Sequence, residues 1–312
     1  MVEVDRVSKV YGSRVAVGDV SFSVAPGETL GFLGPNGAGK TTTMRMITGF
    51  IPISSGAIRV DGHDVVEQPL EAKSRIGYLC ESPPIYREMV VRDYLRFVAA
   101  IKKVPRSRVR AAVDRAVQLC GLGEVAGRVI GHLSKGYRQR VGLAQAIVHE
   151  PPVLILDEPT VGLDPRQIIE IRQLIRGFGG EQTVILSTHI LPEVTMTCTR
   201  VVIINEGKVV AEDTIEHLTT SLGKFETVRL SVVRDRGDLE GLLRSVEGVL
   251  GVEREDGGGF RLRLLGGDAT RERIAASVVA SGAGLVEFTT QTASLEEVFI
   301  RLVTEERTEV EG

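Results

Sequence analysis

The segment at residues 34–42 contains the residue types that bind the phosphates of a nucleotide. It fits the phosphate-loop pattern of a glycine, any four residues, and then Gly-Lys-Ser/Thr. In such a loop glycines let backbone N–H groups turn towards phosphate oxygens, and the N-terminus of the following helix adds partial positive charge. The pattern assigns Lys40 to the β- and γ-phosphates, as a catalytic group, and the Thr41 hydroxyl to Mg²⁺. The nucleotide-binding residues expected here are Gly34, Asn36, Gly37, Gly39, Lys40, Thr41 and Thr42.

Two acidic residues follow an apolar run further along the chain. Residues 153–156 predict a buried strand, and Asp157 and Glu158 come directly after it. Parallel sheets present ligand groups at the carboxyl ends of their strands. We therefore expect Asp157 to hold Mg²⁺ through water and Glu158 to polarise the attacking water. His189, at the exit of the next predicted strand, either donates a hydrogen bond to the γ-phosphate or has a structural role.

Composition and charge exclude several classes of protein. The 312 residues suffice for two domains, and 43% apolar with 25% charged residues is typical of a soluble globular chain. A net charge of −3 gives no reason to expect nucleic acid as a partner. Cys80, Cys120 and Cys198 are widely spaced and odd in number, which favours reduced thiols in a cytosolic setting over disulfides or a zinc site.

The sequence also contains no apolar segment of the roughly 20 residues that a membrane-spanning helix needs. Its first residues include acidic side chains, which a signal peptide lacks. If the protein acts at a membrane, we expect it to do so through a partner protein.

The element pattern predicts an α/β fold with a largely parallel sheet over residues 1–220. Strands are expected at 2–7, 21–24 and 29–33, with Tyr11 in a polar turn. Helical spacing of apolar residues makes 85–150 a mostly helical insert. Beyond it, Asp164 is the expected N-cap of a helix that has Pro165 in its first position.

A second, smaller domain is predicted over residues 225–303. Its element order is βαββαβ, the ferredoxin-like α+β pattern. A final helix is expected from Ser294, with Glu297 completing a capping box, and the acidic tail 304–312 is expected to be frayed. The predicted elements are strand 226–233, helix 238–246, strand 249–255, strand 260–265, helix 269–281 and strand 284–290.

The order and spacing of these motifs resemble an ATP-binding-cassette (ABC) ATPase over residues 1–220. The motifs are the phosphate loop, Leu133-Ser134-Lys135-Gly136-Tyr137 with Arg138-Gln139-Arg140, Asp157-Glu158, Gly162-Leu163-Asp164 and His189. The resemblance implies that Tyr11 stacks on adenine and that two copies pair head to tail around ATP. It also implies that Ser134 and Gly136 contact the γ-phosphate held by the other copy, and it includes Asp164 among the nucleotide-binding residues.

The residues themselves agree with a shared site. Ser134 is predicted to open a helix running to about residue 149, so the N-terminus of that helix is an anion site with no anion in its own chain. A site completed only in the dimer would let ATP drive closure and hydrolysis drive opening.

Three residues depart from the usual motifs of the family. Lys135 and Tyr137 stand where the family usually has glycine and glutamine, and Glu81 stands where it usually has a Mg²⁺-binding glutamine. Glutamate keeps an oxygen ligand but adds negative charge beside the phosphates. Our hypothesis is that Glu81 still binds the metal or its water, with altered coupling or pH dependence.

These departures and the segment at residues 294–299 resemble the ATPase subunits of ABC-2 type export systems, the drug-, sodium- and gliding-associated branch. That resemblance implies a separate integral membrane permease and a cytoplasmic location at the inner face of the membrane. Two alternatives remain: a soluble ABC ATPase acting on ribosomes or DNA, and a nucleotide-gated regulatory module with little turnover. A GTPase is disfavoured because the sequence has no Asn-Lys-x-Asp guanine motif.

Overall fold

The computed structural model of the protein describes residues 1–221, 225–234, 238–255, 259–265, 267–291 and 299. The chain divides into two compact units, Met1–Asp213 and Thr214–Gly312. The strands that begin in the first unit are β1 (Val2–Tyr11), β2 (Arg14–Val24), β3 (Thr29–Leu33), β4 (Ser55–Val60), β5 (His63–Asp64), β6 (Ile76–Leu79), β7 (Val153–Asp157), β8 (Thr183–Thr188), β9 (Arg200–Asn205) and β10 (Lys208–Thr214). Its helices are α1 (Lys40–Ile47), α2 (Pro69–Ser74), α3 (Val91–Ile101), α4 (Arg106–Leu119), α5 (Lys135–Ile147), α6 (Pro165–Phe178) and α7 (Leu191–Thr197).

A six-stranded sheet in the order β10-β9-β3-β8-β7-β6 forms the centre of the first unit. The pairs β3–β8, β3–β9, β7–β8 and β6–β7 are parallel. Every residue of β3, β7 and β8 is buried, as expected of parallel strands covered on both faces. The predicted α/β class with a largely parallel sheet is confirmed.

A second, antiparallel sheet in the order β2-β1-β4-β5 packs against α1 on the side opposite the six-stranded sheet. Its first hairpin extends beyond the predicted strands, and Tyr11 pairs with Arg14 as the last residue of β1. The prediction of Tyr11 in a turn was therefore wrong by one position, because cross-strand hydrogen bonds continue the ladder through polar residues that propensity does not favour.

Helix α1 lies between the two sheets. Its side chains Met44, Met46 and Ile47 are fully buried in one core with residues of both sheets. The rings of Phe22 and Phe32 join that core at a centroid distance of 5.3 Å. Burial of each such side chain stabilises the fold by roughly 1.5–3 kcal/mol. Helix α1, which begins at the end of the phosphate loop, is therefore anchored in this core.

The helical insert consists of α3, α4 and α5, with short 3₁₀ turns at Gly123–Val125 and Ile130–His132. The mostly helical character predicted for 85–150 is confirmed, although the first helix begins only at Val91 and α5 ends at Ile147. The buried Tyr94 hydroxyl of α3 donates to Gln145 of α5 at 2.6 Å. Helix α2 was not predicted.

The second unit contains α8 (Ile215–Ser221), β11 (Phe225–Val232), α9 (Leu239–Ser245), β12 (Val249–Arg254), β13 (Gly259–Leu265), α10 (Asp268–Ala280) and β14 (Leu285–Gln291). The last six form an antiparallel sheet in the order β12-β13-β11-β14 with two helices, which confirms the βαββαβ prediction. Leu230, Phe260, Leu262, Ile274 and Val278 form its core. The predicted helix from Ser294 and the tail 304–312 lie outside the described residues.

Candidate active site

The phosphate loop connects β3 to α1 and requires glycine at defined points. Gly37 and Gly39 have φ values of 84° and 104°, a region that side-chain-bearing residues rarely occupy. A Cβ atom on Gly34 would lie 2.4 Å from the carbonyl oxygen of Ile204, and one on Gly39 would lie 2.9 Å from that of Ala16. At Gly34 and Gly39 the loop therefore packs against neighbouring backbone with no room for a side chain.

Lys40, the first residue of α1, has a buried ammonium group. It is 5% exposed and donates to the carbonyl oxygens of Gly34 at 2.8 Å and Pro35 at 3.1 Å. Its Nζ also lies 3.3 Å from Oε1 of Glu158. A buried cation is thus held between the loop and a buried carboxylate that balances its charge.

Asp157, the last residue of β7, is fully buried and has one unsatisfied oxygen. Its Oδ1 accepts from Ser187 at 2.8 Å and from Thr41 at 3.3 Å, whereas its Oδ2 has no hydrogen-bond partner among the described residues. Burial raises the pKa of Asp157, the hydrogen bonds from Ser187 and Thr41 oppose this, and the charges of Glu158 and Glu81 add to it. A buried carboxylate oxygen beside a threonine hydroxyl fits Mg²⁺ or a water bound to it.

Glu158 adopts a left-handed backbone conformation, with φ of 50°, directly after the strand. Such a conformation costs about 1–3 kcal/mol in a residue with a side chain and is concentrated at functional sites. His189 Nδ1 lies 3.0 and 2.9 Å from the two carboxylate oxygens of Glu158. Because Nδ1 faces Glu158, only Nε2 of His189 remains for a phosphate.

A cavity of about 960 Å³ opens over the loop, a size typical of ligand sites. Most of the sequence-predicted nucleotide and metal residues line it, and it also contains residues that were not predicted. The predicted residues are Tyr11, Asn36, Gly37, Gly39, Lys40, Thr41, Thr42, Glu81, Glu158 and His189, and the additional ones are Arg14, Val15, Ala16, Val161 and Glu206. Gly34 and Asp157 are buried in the structure around it.

Strand pairing explains the residues that the sequence did not indicate. The hairpin of β1 and β2 places Arg14 opposite Tyr11, so a correct hairpin register could have found Arg14. Glu206 follows β9, and because β9 pairs with β3, its exit turn lies beside the phosphate loop. The Gly207 N–H donates to the carbonyl oxygen of Ala38 at 3.0 Å. No local pattern around Glu206 indicates this proximity.

Three of the predicted nucleotide-binding residues lie elsewhere. Ser134 is the N-cap of α5 and accepts from the Tyr137 N–H at 3.3 Å, while Asp164 is the N-cap of α6 and accepts from the Gln167 N–H at 2.9 Å. Both N-caps are confirmed. Together with Gly136 they line a second cavity of about 300 Å³, and no phosphate-loop residue is among its lining residues.

Lys135 and Tyr137, which depart from the usual motif of the family, each contact a residue outside that motif. A Cβ atom on Gly162 would lie 2.0 Å from the Nζ of Lys135, so this ammonium covers the loop before α6. The guanidinium carbon of Arg140 lies over the Tyr137 ring, 5.9 Å from the ring centroid. A Cβ atom on Gly136 would lie 2.5 Å from Cδ of Gln167, which shows that the two helix starts are closely apposed.

Comparison with known proteins assigns the family. The family model described as "ABC transporter" matches residues 17–161, and the model described as "ATP-binding protein DrrA1-3-like, C-terminal domain" matches residues 222–303. The bacitracin transport ATP-binding protein BcrA of Bacillus licheniformis is 33% identical over 306 residues, which cover 95% of each chain. The chain belongs to the ABC transporter ATP-binding proteins. The resemblance to the ATPase subunits of ABC-2 type export systems is confirmed.

Two further matches support this ABC ATPase assignment. The linearmycin resistance ATP-binding protein LnrL of Bacillus subtilis (strain 168) is 30% identical over 307 residues and 97% of this chain, or 98% of its own length. A solved ATP-binding subunit of an ABC transporter superposes with a TM-score of 0.65 at 30% identity, covering 72% of this chain and 93% of that one. The protein is therefore an ATPase that binds ATP.

Proposed function

We propose that this ABC ATPase powers an exporter of the ABC-2 type as a head-to-tail dimer that drives a separate membrane subunit. The observation that supports the dimer is the separation of two half-sites within one chain. Lys40 and Thr41 line one cavity, whereas Ser134 and Gly136 line another at the start of α5. A helix N-terminus capped by serine attracts anions, and in the dimer the γ-phosphate of the other copy would be that anion.

Mg²⁺ fits the residues at the end of β7, and we assign it to Thr41, Asp157 and Glu81. The buried Oδ2 of Asp157, which has no hydrogen-bond partner in the described part of the chain, and the adjacent Thr41 hydroxyl support this assignment. When bound, the ion neutralises charge on the β- and γ-phosphates. Asp157 would hold it through water, because the carboxylate is fully buried and does not itself line the cavity.

The two catalytic roles go to Glu158 and His189. Glu158 would accept a hydrogen bond from the attacking water and so orient it towards the γ-phosphate, and Lys40 would neutralise the developing charge. The Nδ1–H of His189 would donate to the Glu158 carboxylate and fix it, and Nε2 would face the γ-phosphate; donation from both ring nitrogens requires the doubly protonated ring. The contacts of 2.9 and 3.0 Å between His189 and Glu158 support this division of roles. Tyr11, which is 51% exposed at the rim, would stack on adenine.

The membrane subunit would bind an exposed aromatic patch on the helical insert. Tyr86, Phe97 and Ile101 are 48%, 40% and 60% exposed, and the rings of Tyr86 and Phe97 lie 5.6 Å apart. Exposed apolar clusters mark protein interfaces. The segment that carries Tyr86 also carries Glu81 of the ATP cavity, so a partner bound here would be coupled to the nucleotide.

Among the described residues, no helix has the length and apolarity required to cross a bilayer. We propose that the protein works at the inner face of the membrane through this permease. BcrA is named for bacitracin transport and LnrL for linearmycin resistance, which favours an exported compound over a ribosome or DNA as the object of the work.

The permease interaction is tested by purification from membranes. We expect the tagged parent protein to bring down an integral membrane protein and Phe97→Asp to lose it, because a buried charge would replace an apolar contact. The ATPase rate of isolated Phe97→Asp should stay within about twofold of the parent. Val66→Asp, at a similarly exposed apolar residue of the same unit, is the control. Equal recovery with both variants would contradict the assigned surface.

The role of Glu81 is tested by the pH dependence of turnover. We expect Glu81→Gln to change the shape of the rate–pH profile and the Mg²⁺ concentration for half-maximal rate, because the amide neither titrates nor repels the phosphates. Glu71→Gln, on the exposed surface of α2, should leave both unchanged. Identical profiles for Glu81→Gln and the parent would contradict the hypothesis.

A further inference from the structure

A fully buried carboxylate on α7 lies between the two chain segments that carry Glu158 and His189. Glu193 is 1% exposed. Its Oε1 accepts a hydrogen bond from the Thr160 hydroxyl, and its Oε2 accepts one from the Thr188 hydroxyl at 2.6 Å. Thr160 lies two residues after Glu158, and Thr188 directly precedes His189. One carboxylate therefore links both segments.

Both hydroxyl groups are buried and well placed for this link. Thr160 and Thr188 are 2% and 0% exposed. The Thr188 oxygen also accepts from the N–H of Ile190 at 3.0 Å, which ties the turn after His189 to the same carboxylate. A carboxylate accepts hydrogen bonds at both oxygens without rotating a proton, so it is well suited to bridge two hydroxyl donors.

Arg172 of α6 compensates the charge of Glu193. Its Nη2 lies 3.7 Å from Oε1 of Glu193, and its side chain is 14% exposed. Its Nη1 lies 3.7 Å from the sulfur of Met196, and its buried Nε has no hydrogen-bond partner among the described residues. A buried ionised carboxylate is costly unless it is paired and hydrogen-bonded, and Glu193 meets both conditions.

We propose that Glu193 is a positioning residue for ATP hydrolysis. It holds Thr160, two residues after Glu158, and Thr188, directly before His189. Glu158 and His189 thereby stay in hydrogen-bond contact. It lines no part of the ATP cavity and acts only through the two segments. A displacement of about 1 Å in a catalytic pair can lower a rate by about 100-fold, so a clamp at this point controls turnover. This inference rests on the catalytic roles proposed above for Glu158 and His189.

Glu193→Gln tests the clamp with little change in shape. The amide offers one accepting oxygen, so one of the two threonine hydroxyls loses its acceptor, and the charge opposite Arg172 is removed. We expect kcat to fall about tenfold or more while the Kd for ATP stays within about threefold, because the binding residues are not touched. Glu181→Gln, at a carboxylate that is 81% exposed, is the matched control and should leave kcat unchanged. A fall in thermal stability with kcat of the folded protein unchanged would overturn the proposal.

A double-mutant cycle with His189→Ala separates positioning from general destabilisation. In the His189→Ala background the Glu158–His189 contact is already absent, so adding Glu193→Gln should change kcat less than about twofold. If the two substitutions acted independently, their fold-losses in kcat would multiply. Multiplying effects would overturn the inference. If His189→Ala alone leaves kcat unchanged, the role proposed for His189 fails as well. If His189→Ala slows turnover and Glu193→Gln does not, only the role of Glu193 fails.

Thr160→Val tests the same proposal if Glu193→Gln does not fold. It removes one hydroxyl donor and leaves the Glu193–Arg172 pair intact. The same loss of kcat, at unchanged Kd for ATP, is expected, and a Thr160→Val enzyme with the parent kcat would overturn the proposal.

Discussion

Replacing Lys40 with alanine is expected to abolish ATP turnover. The ammonium is the positive centre of the site, buried between the loop carbonyls of Gly34 and Pro35 and the carboxylate of Glu158. Without it, neither the binding of the β- and γ-phosphates nor the charge developing in the transition state is compensated. Loss of one such preorganised group costs about 100-fold or more in rate. The measurement is the steady-state ATPase rate together with the Kd for ATP.

Two further variants make the Lys40 result specific to charge. Lys40→Met keeps most of the length of the side chain and removes only its ammonium, so it should be as inactive as Lys40→Ala. Lys73→Ala, at an exposed lysine on α2, should retain the parent rate. An active Lys40→Met enzyme with a folded core would show that the phosphate loop works without its cation, contrary to this account.

Replacing Glu158 with glutamine is expected to trap the protein as an ATP-bound dimer. The amide keeps the shape of the side chain but cannot serve as the carboxylate that orients water, so the rate should fall about 100-fold or more. Binding should survive, because the phosphate loop and Asp157 are unchanged and one negative charge near the phosphates is removed. With hydrolysis blocked, the closed state accumulates.

The mass of Glu158→Gln in solution, with and without ATP and Mg²⁺, measures this trapping. We expect a doubled mass only with nucleotide, and a monomer for the double variant Glu158→Gln with Ser134→Arg, whose bulky side chain would obstruct the second half-site. Glu181→Gln, the exposed isosteric control, should hydrolyse ATP and show no trapped dimer. A Glu158→Gln protein that stays monomeric with ATP would contradict the shared site.

Predictions that depend on contiguous residues agree with the elements and N-caps that the structure shows. The phosphate loop, the acidic pair after β7 and the N-caps Ser134 and Asp164 are short patterns whose chemistry is determined by neighbours in the chain. Helix and strand types also followed from periodicity, including the βαββαβ order of the second unit. Strand ends were less accurate, as Tyr11 shows, because the length of a strand depends on its partner.

The sequence did not indicate residues whose role depends on neighbours in space rather than in the chain. Arg14 and Glu206 line the cavity over the phosphate loop only because β2 pairs with β1 and β9 pairs with β3. Glu193 is an unremarkable residue of a short helix in the sequence, yet its carboxylate joins Thr160 and Thr188. These contacts join segments distant in the chain, and their geometry depends on packing rather than on local pattern.

The sequence alone indicated that the protein is an ABC ATPase, and it predicted which residues bind phosphate and metal and which two helix starts attract anions. Those conclusions rest on residues whose chemistry and spacing are local. The tertiary structure decided the rest: that Nδ1 of His189 faces Glu158 and that Ser134 and Asp164 share a cavity apart from Lys40. It also decided that one oxygen of Asp157, beside Thr41, accepts no hydrogen bond from the residues that the structure describes. A parallel sheet brings strand ends together in an order that the chain does not follow, and only that order decides which side chains meet.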